Sequence, residues 1–284
     1  MDNRLLVARQ SAAAGGLLDL VPGAAAAYSL RKLSSTYTDP VVTVRRSSDD
    51  AEGSFTASEV SDGTLAAFCG VGDGFVKQWW DQSGNANHAS QATPASQPKI
   101  VSGGVVVLEE GNPAIEFDGI DDGLRADALS SVASGVDKFI CAFCAWSTTS
   151  GESPYGVVFG WGSTSSSLPG LWAGGGGGQL QFVRRDDAGT NATIAPLVQS
   201  TTDLLVESIV SLGDTSSLYY NGAFSGSQTQ PLSETTLDSF AIGQLVRTSV
   251  GNALPGNVLE LIIYPSDQTA NRELIEGNIA WSYS

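Results

Sequence analysis

The side chains able to do chemistry fall in a few short clusters. Asp118-Gly119-Ile120-Asp121-Asp122 sets three carboxyl groups in one turn, and hard cations such as calcium take several oxygen ligands from loops of this kind. The spacing is not that of an EF-hand, and aspartates in turns also cap their own backbone. The expectation is no cofactor, with backbone capping as the main role of these side chains and Asp118, Asp121 and Asp122 as the candidate ligands should calcium bind. Val71-Gly72-Asp73-Gly74 is a second, weaker acidic turn. Cys141-Ala142-Phe143-Cys144 has redox or zinc spacing, but its apolar surroundings read as a buried strand. Residues three apart on a strand point to opposite faces, so these thiols cannot ligate one metal. His88 is the only histidine and lies in a polar turn, where a surface hydrogen bond is a simpler role than that of a catalytic base. The glycine run 174–178 lacks the Lys-Ser/Thr of a phosphate loop and reads as a surface turn. Six tryptophans and seven tyrosines remain; aromatic rings beside Asp, Asn, Gln or Arg are what a shallow sugar-binding groove requires.

Such groups need elements to hold them. The chain has 33 glycines and only 15% charged residues, a pattern of many short strands joined by turns rather than of helices. With 42% hydrophobic residues over 284 positions, it can bury a large core. Strands are expected at 41–46, 75–80, 104–108, 114–118, 139–146, 155–161, 179–185, 204–211, 217–221, 237–243 and 258–264. Residues 24–33 read as a helical or turn segment, and 62–68 as a brief helix with Asp62 near its cap. Tyr220-Asn221-Gly222-Ala223 signals a hairpin with a type I′ turn. A closing helix has Ser266 as the expected N-cap and Leu274, Ile275 and Ile279 on one face. Residues 1–22, with no strand period, read as an attachment arm ahead of a domain at 23–284.

The formal charge of −16 excludes a phosphate-binding surface and hence nucleic acid as partner. No run of 18 apolar residues appears, so no membrane span is expected; nor is there the basic start and apolar run of a signal peptide. Three cysteines cannot all pair within the chain.

Three segments resemble a known family. Tyr28-Ser29-Leu30-Arg31-Lys32-Leu33 leading to Val44-Arg45-Arg46, then Trp80-Asp81-Gln82-Ser83-Gly84-Asn85-Ala86-Asn87-His88, then Pro113-Ala114-Ile115-Glu116-Phe117-Asp118-Gly119, are similar to the catalytic domain of fungal α-L-arabinofuranosidase B. They also resemble concanavalin-like modules of phage tail, fibre and head-spike proteins. Residues 256–279 match both groups. The resemblance implies an all-β, concanavalin-like antiparallel sandwich, or jelly roll, with a short C-terminal helix. Retaining glycosidases need two carboxyl groups about 5–5.5 Å apart. The resemblance places the family's acid/base aspartate in the stretch read here as Ile242-Gly243-Gln244-Leu245-Val246-Arg247-Thr248-Ser249, and its nucleophile in Gln179-Leu180-Gln181-Phe182-Val183-Arg184-Arg185. Neither stretch holds a carboxylate, although Asp186 and Asp187 follow the second.

The reading is therefore a non-catalytic phage virion protein, a tail fibre, head spike or capsid-decorating adhesin on the particle surface. Its arm would bind other virion proteins, its subunits would form a homo-oligomer such as a trimer, and its sandwich would bind cell-surface glycan through Trp161, Trp172, Arg184, Arg185 and Asp186. The alternatives are a glycoside hydrolase of arabinofuranosidase type and a capsid cement protein without glycan binding.

Overall fold

Alternating apolar and polar runs separated by glycine turns give 23 strands among the described residues. In chain order they begin with β1 (Ala26–Ser29), β2 (Val42–Arg46), β3 (Glu52–Phe55), β4 (Gly74–Trp79), β5 (Ala89–Ser90), β6 (Lys99–Ser102), β7 (Val105–Val106) and β8 (Leu108–Glu109). Then come β9 (Asn112–Pro113), β10 (Ile115–Asp118), β11 (Leu124–Arg125), β12 (Phe139–Thr148), β13 (Gly156–Ser163), β14 (Ser166–Gly176), β15 (Gln179–Arg185) and β16 (Asn191–Ile194). The last are β17 (Leu205–Leu212), β18 (Thr215–Tyr220), β19 (Ala223–Thr229), β20 (Ser239–Ile242), β21 (Leu245–Val246), β22 (Val250–Gly251) and β23 (Pro255–Tyr264). This computed structural model describes residues 16–136, 138–148, 156–176, 179–195 and 204–283.

The pairings are antiparallel and build two layers. One runs β16-β15-β14-β13-β20-β11-β5-β4-β2-β3. The other runs β19-β18-β17-β12-β23, with β1 and β10 sharing the far edge of β23. Between them lies the main core, where Phe159, Trp161, Phe182 and Phe240 of the first layer meet Cys144, Trp146, Ile209 and Leu261 of the second. A second cluster covers the back of the β12–β23 layer, where Cys141, Phe143 and Tyr264 pack against Ile275 and Ile279 of the C-terminal helix Arg272–Ser282. Cys141 and Cys144 thus occupy opposite faces, and both are free.

Several boundaries differ from the sequence reading. Residues 26–29 form β1 instead of a helix, because every side chain there is buried and its edge pairs with Ile263 to Glu260. The C-terminal helix starts after Asn271, not Ser266. The attachment arm cannot extend to residue 22: Leu17 and Val21 are buried in the second cluster, and Tyr264 Oη donates to Val21 O at 2.8 Å. Residues 1–15 lie outside the described residues. The hairpin is as expected, with Asn221 and Gly222 both at positive φ between β18 and β19.

The Asp81-Gln82-Ser83-Gly84-Asn85-Ala86-Asn87 run proves to be a joint between β4 and β1. Asp81, buried, accepts from Ala27 N and Ser83 N at 2.8 Å each, from Ser83 Oγ at 2.8 Å and from Asn87 N at 3.0 Å. Gln82 accepts from Leu33 N and donates to Ser29 O and Arg31 O. Asn85 and Asn87 donate to Ala24 O and Ala25 O. A carboxylate or amide satisfying several buried backbone groups leaves them all unpaired when removed.

Two glutamates are buried on opposite faces of the second layer. Glu260 is paired with Arg31 at 2.7 Å and accepts from Tyr283 Oη, while Asn278 also binds Arg31, which ties the C-terminal helix to β1 and β23. Glu207 faces the main core with no cation beside it among the described residues; it accepts from Trp146 Nε1 at 2.9 Å and Tyr220 Oη at 3.4 Å. Burial pushes its carboxyl up to about 8, so it is neutral at physiological pH.

Two outcomes are expected. Asp81→Ala should lower unfolding free energy by about 3 kcal/mol in urea titration, since several buried hydrogen bonds to a charged acceptor vanish together. The folded-state value of Glu207 lies above the free value of 4.5, so its stabilising contribution is complete below about 4.5 and is lost as pH climbs through about 8. Glu207→Gln should therefore flatten the fall in melting temperature between about pH 4.5 and about pH 8.

Candidate functional site

Register places one row of residues, polar at its β4–β5–β11 end, across the outer face of the first layer. The cross-strand partners Gln78, Ser90, Arg125, Ala241, Gly160, Trp172 and Val183 lie side by side, and directly opposed residues share a face. A groove of about 480 Å³ opens on this row, lined by His88, Ser90, Gln91, Arg125 and Asp127 among others. Arg125 and Asp127 are paired at 2.7 Å. His88 Nδ1 accepts from Asp81 N, and its ring lies 4.6 Å from that of Trp80. The histidine therefore braces the β4–β1 joint.

The acidic turn adjoins the groove. Gln91 donates to Gly123 O at 2.8 Å, directly after Asp122. Carboxylate oxygens of Asp118, Asp121 and Asp122 all lie within 4.8 Å of one another. Asp118 accepts from Ile120 N and Asp121 N, Asp122 from Asp118 N, and Asp121 from Ser96 Oγ. Asp122 is buried while its two neighbours are exposed; burial first, then the charge of Asp118, pushes its carboxyl up to about 7. The trio can hold a hard cation or share a proton. Beside it, Gly123 leaves no room for a side chain because the buried Gln244 packs against its Cα. The 242–249 stretch and the acidic turn are thus neighbours, which the sequence alone did not reveal. The Asp73 turn has a different role: Asp73 accepts from Gly103 N and pairs with Lys99, joining loops.

The proposed sugar-binding residues separate. Trp161 is in the main core, donating to Leu129 O and stacked 4.7 Å from Phe240, so it cannot meet a ligand. Arg184 is buried and donates to Gly213 O. Asp186 is buried, accepting from Thr190 N, Ser233 N and Ser233 Oγ to pin two loops. Only Trp172 and Arg185 are half-buried on the outer face. They were on the right strands, but alternation sends Arg184 one way and Arg185 the other. Arg247 was missed as a site residue: its guanidinium sits 5.6 Å from the Trp172 ring centroid. The signal was its place in the 242–249 stretch, which folds over Gly160 and Gly162.

Comparison with known proteins agrees with this architecture. The catalytic-domain model of α-L-arabinofuranosidase B matches residues 16–110. A glycoside hydrolase family 54 α-L-arabinofuranosidase soaked with a cyclic sulfate inhibitor superposes with a TM-score of 0.63 at 16% identity, over 90% of this chain and 63% of that one. An arabinofuranosidase complexed with arabinofuranosyl-α-1,2-xylobiose gives 0.64 at 16% identity, with the same coverage. This chain therefore spans under two thirds of the length of those structures, and at such identity the likeness establishes the β-sandwich fold. Among curated proteins, none matches. The expectation of a non-catalytic phage virion protein is overturned: the family model that matches and the two structures named above are arabinofuranosidases.

If the turn holds a cation rather than a shared proton, calcium ~100-fold above its Kd should stabilise the wild type by about 2.7 kcal/mol, raising its melting temperature, and leave Asp122→Asn unmoved. An identical melting curve with calcium and with chelator would remove the metal from this turn.

Proposed function

We propose that the chain is an arabinofuranosidase-type glycoside hydrolase domain acting on α-L-arabinofuranosyl residues. The observation that carries it is the meeting of two features beside the groove. Asp118, Asp121 and Asp122 bring carboxylate oxygens within 4.8 Å of one another, next to the 242–249 stretch that the resemblance ties to the acid/base position. That limit falls just under the separation of about 5–5.5 Å between the carboxyl groups of retaining enzymes, which act by double displacement. Asp122, in its drier setting, supplies the proton to the leaving oxygen, and the exposed Asp121 carboxylate attacks the anomeric carbon. Water then cleaves the glycosyl-enzyme, with Asp122 returning as base. The groove along Ser90, Gln91 and Arg125 holds the rest of the glycan. Support comes from the family match over residues 16–110 and from the shared fold.

A second reading is favoured by the lack of acid in residues 179–185 and 242–249: a domain that keeps the glycan surface without cutting.

The test is release of 4-nitrophenol from 4-nitrophenyl α-L-arabinofuranoside. The wild type should turn over, and Asp122→Asn should lose at least ~100-fold in kcat, the usual worth of a general acid. Binding of arabino-oligosaccharide with no release by the wild type would select the second reading.

A further inference from the structure

Among the described residues, most arginines are paired: Arg31, Arg45, Arg46, Arg125 and Arg272 each have a carboxylate oxygen within 2.8 Å. Arg185 and Arg247 depart from that rule. Among the described residues, neither has an acidic partner within ion-pair distance, and Arg185 Nε is buried with nothing to donate to. Arg247 donates to Ser167 O at 2.9 Å and lies over Trp172. The nearby acids are committed elsewhere, Asp186 to Ser233, Asp187 to Thr236 and Asp238 to Thr164.

The fold holds these groups together deliberately. Gly170 is the cross-strand partner of Arg185, and its missing side chain is replaced by the Trp172 ring, 2.9 Å from where a Cβ would stand. Gly162, paired with Gly170, makes the same room for the Arg247 stem. Desolvation, and then the nearby charge of Arg185, lower the Arg247 pKa. Two like charges are thus held near each other at a half-dry surface, an arrangement that an anion between them relieves.

We propose that Arg185, Arg247 and Trp172 form a binding site for the carboxylate of a uronic-acid residue in an acidic polysaccharide. The guanidiniums take the carboxylate, and the indole takes the flat C–H face of the same or the adjoining sugar. A bare inorganic anion would use the arginines and leave the indole idle, which is why a sugar acid is the better occupant. The site lies on β14, β15 and the 242–249 stretch, goes beyond the hydrolase reading and does not depend on it.

The experiment is isothermal titration calorimetry of the full chain at low salt with trigalacturonic acid, its methyl ester and sodium sulfate. The free acid should bind at least ~10-fold more tightly than the ester, a ratio set by loss of the charge-assisted pair. Arg247→Gln and Arg185→Gln should each weaken the acid by ~10-fold or more with unchanged melting temperature, and Trp172→Ala should weaken it while leaving sulfate alone. Equal binding of acid and ester, or unchanged affinity in the glutamine variants, would overturn the proposal. Sulfate binding as tightly as the trisaccharide would overturn its sugar part. Asp122→Asn should bind the acid like the wild type, so failure of hydrolysis and failure of this site are read separately.

Discussion

The Asp81 carboxylate and the Gln82 amide hold the position on which the two layers depend. β1 pairs with β23 in the second layer, whereas Trp79 and its neighbours belong to β4 in the first. Joining them through Ala27 N, Ser29 O, Arg31 O and Leu33 N fixes the spacing at one end of the sandwich. A side chain does here what a strand ladder cannot, since the two backbones meet at a single bridge, Tyr28 to Asp81. Asp81, Gln82 and Ser29 are buried, and burial makes an unmade hydrogen bond costly. Short polar side chains at fixed offsets are therefore required, and the glycine at 84, with positive φ, lets the run turn back.

Charge placement follows the same economy. Glu260 is tolerated at zero exposure because Arg31 and Tyr283 surround it, and that cluster anchors the closing helix. Glu207 has only hydroxyl and indole donors, so it remains neutral. Neither acid is available to a ligand. What the outer face offers is different: a groove lined by His88 and Arg125 with the 118–122 turn adjoining it, and, elsewhere on that face, Arg247 over Trp172. Glycines at 160, 162 and 170 let the loop and the indole lie flat on the sheet between them.

The sequence by itself determined a good deal. Alternation of apolar residues and glycine-rich turns was enough for the sandwich, since period two survives whatever the neighbours do. It put Cys141 and Cys144 on opposite faces, Asn221-Gly222 in a turn and three aspartates in one loop. Local chemistry decides each of these within a few residues.

Tertiary structure alone decided which face each strand buries and what lies across from it. Residues 26–29, rich in alanine, became a strand only because β23 offered an edge. Trp161 and Arg184 carried the right chemistry but point inward, while Arg185 and Trp172 point outward; composition contains no sign of that direction. The nearness of Gln244 to Gly123 and of Arg247 to Trp172 joins residues over 70 positions apart in sequence. Such contacts arise when sheets stack and loops fold over them, so they follow from packing and register, which are properties of the whole chain rather than of any segment.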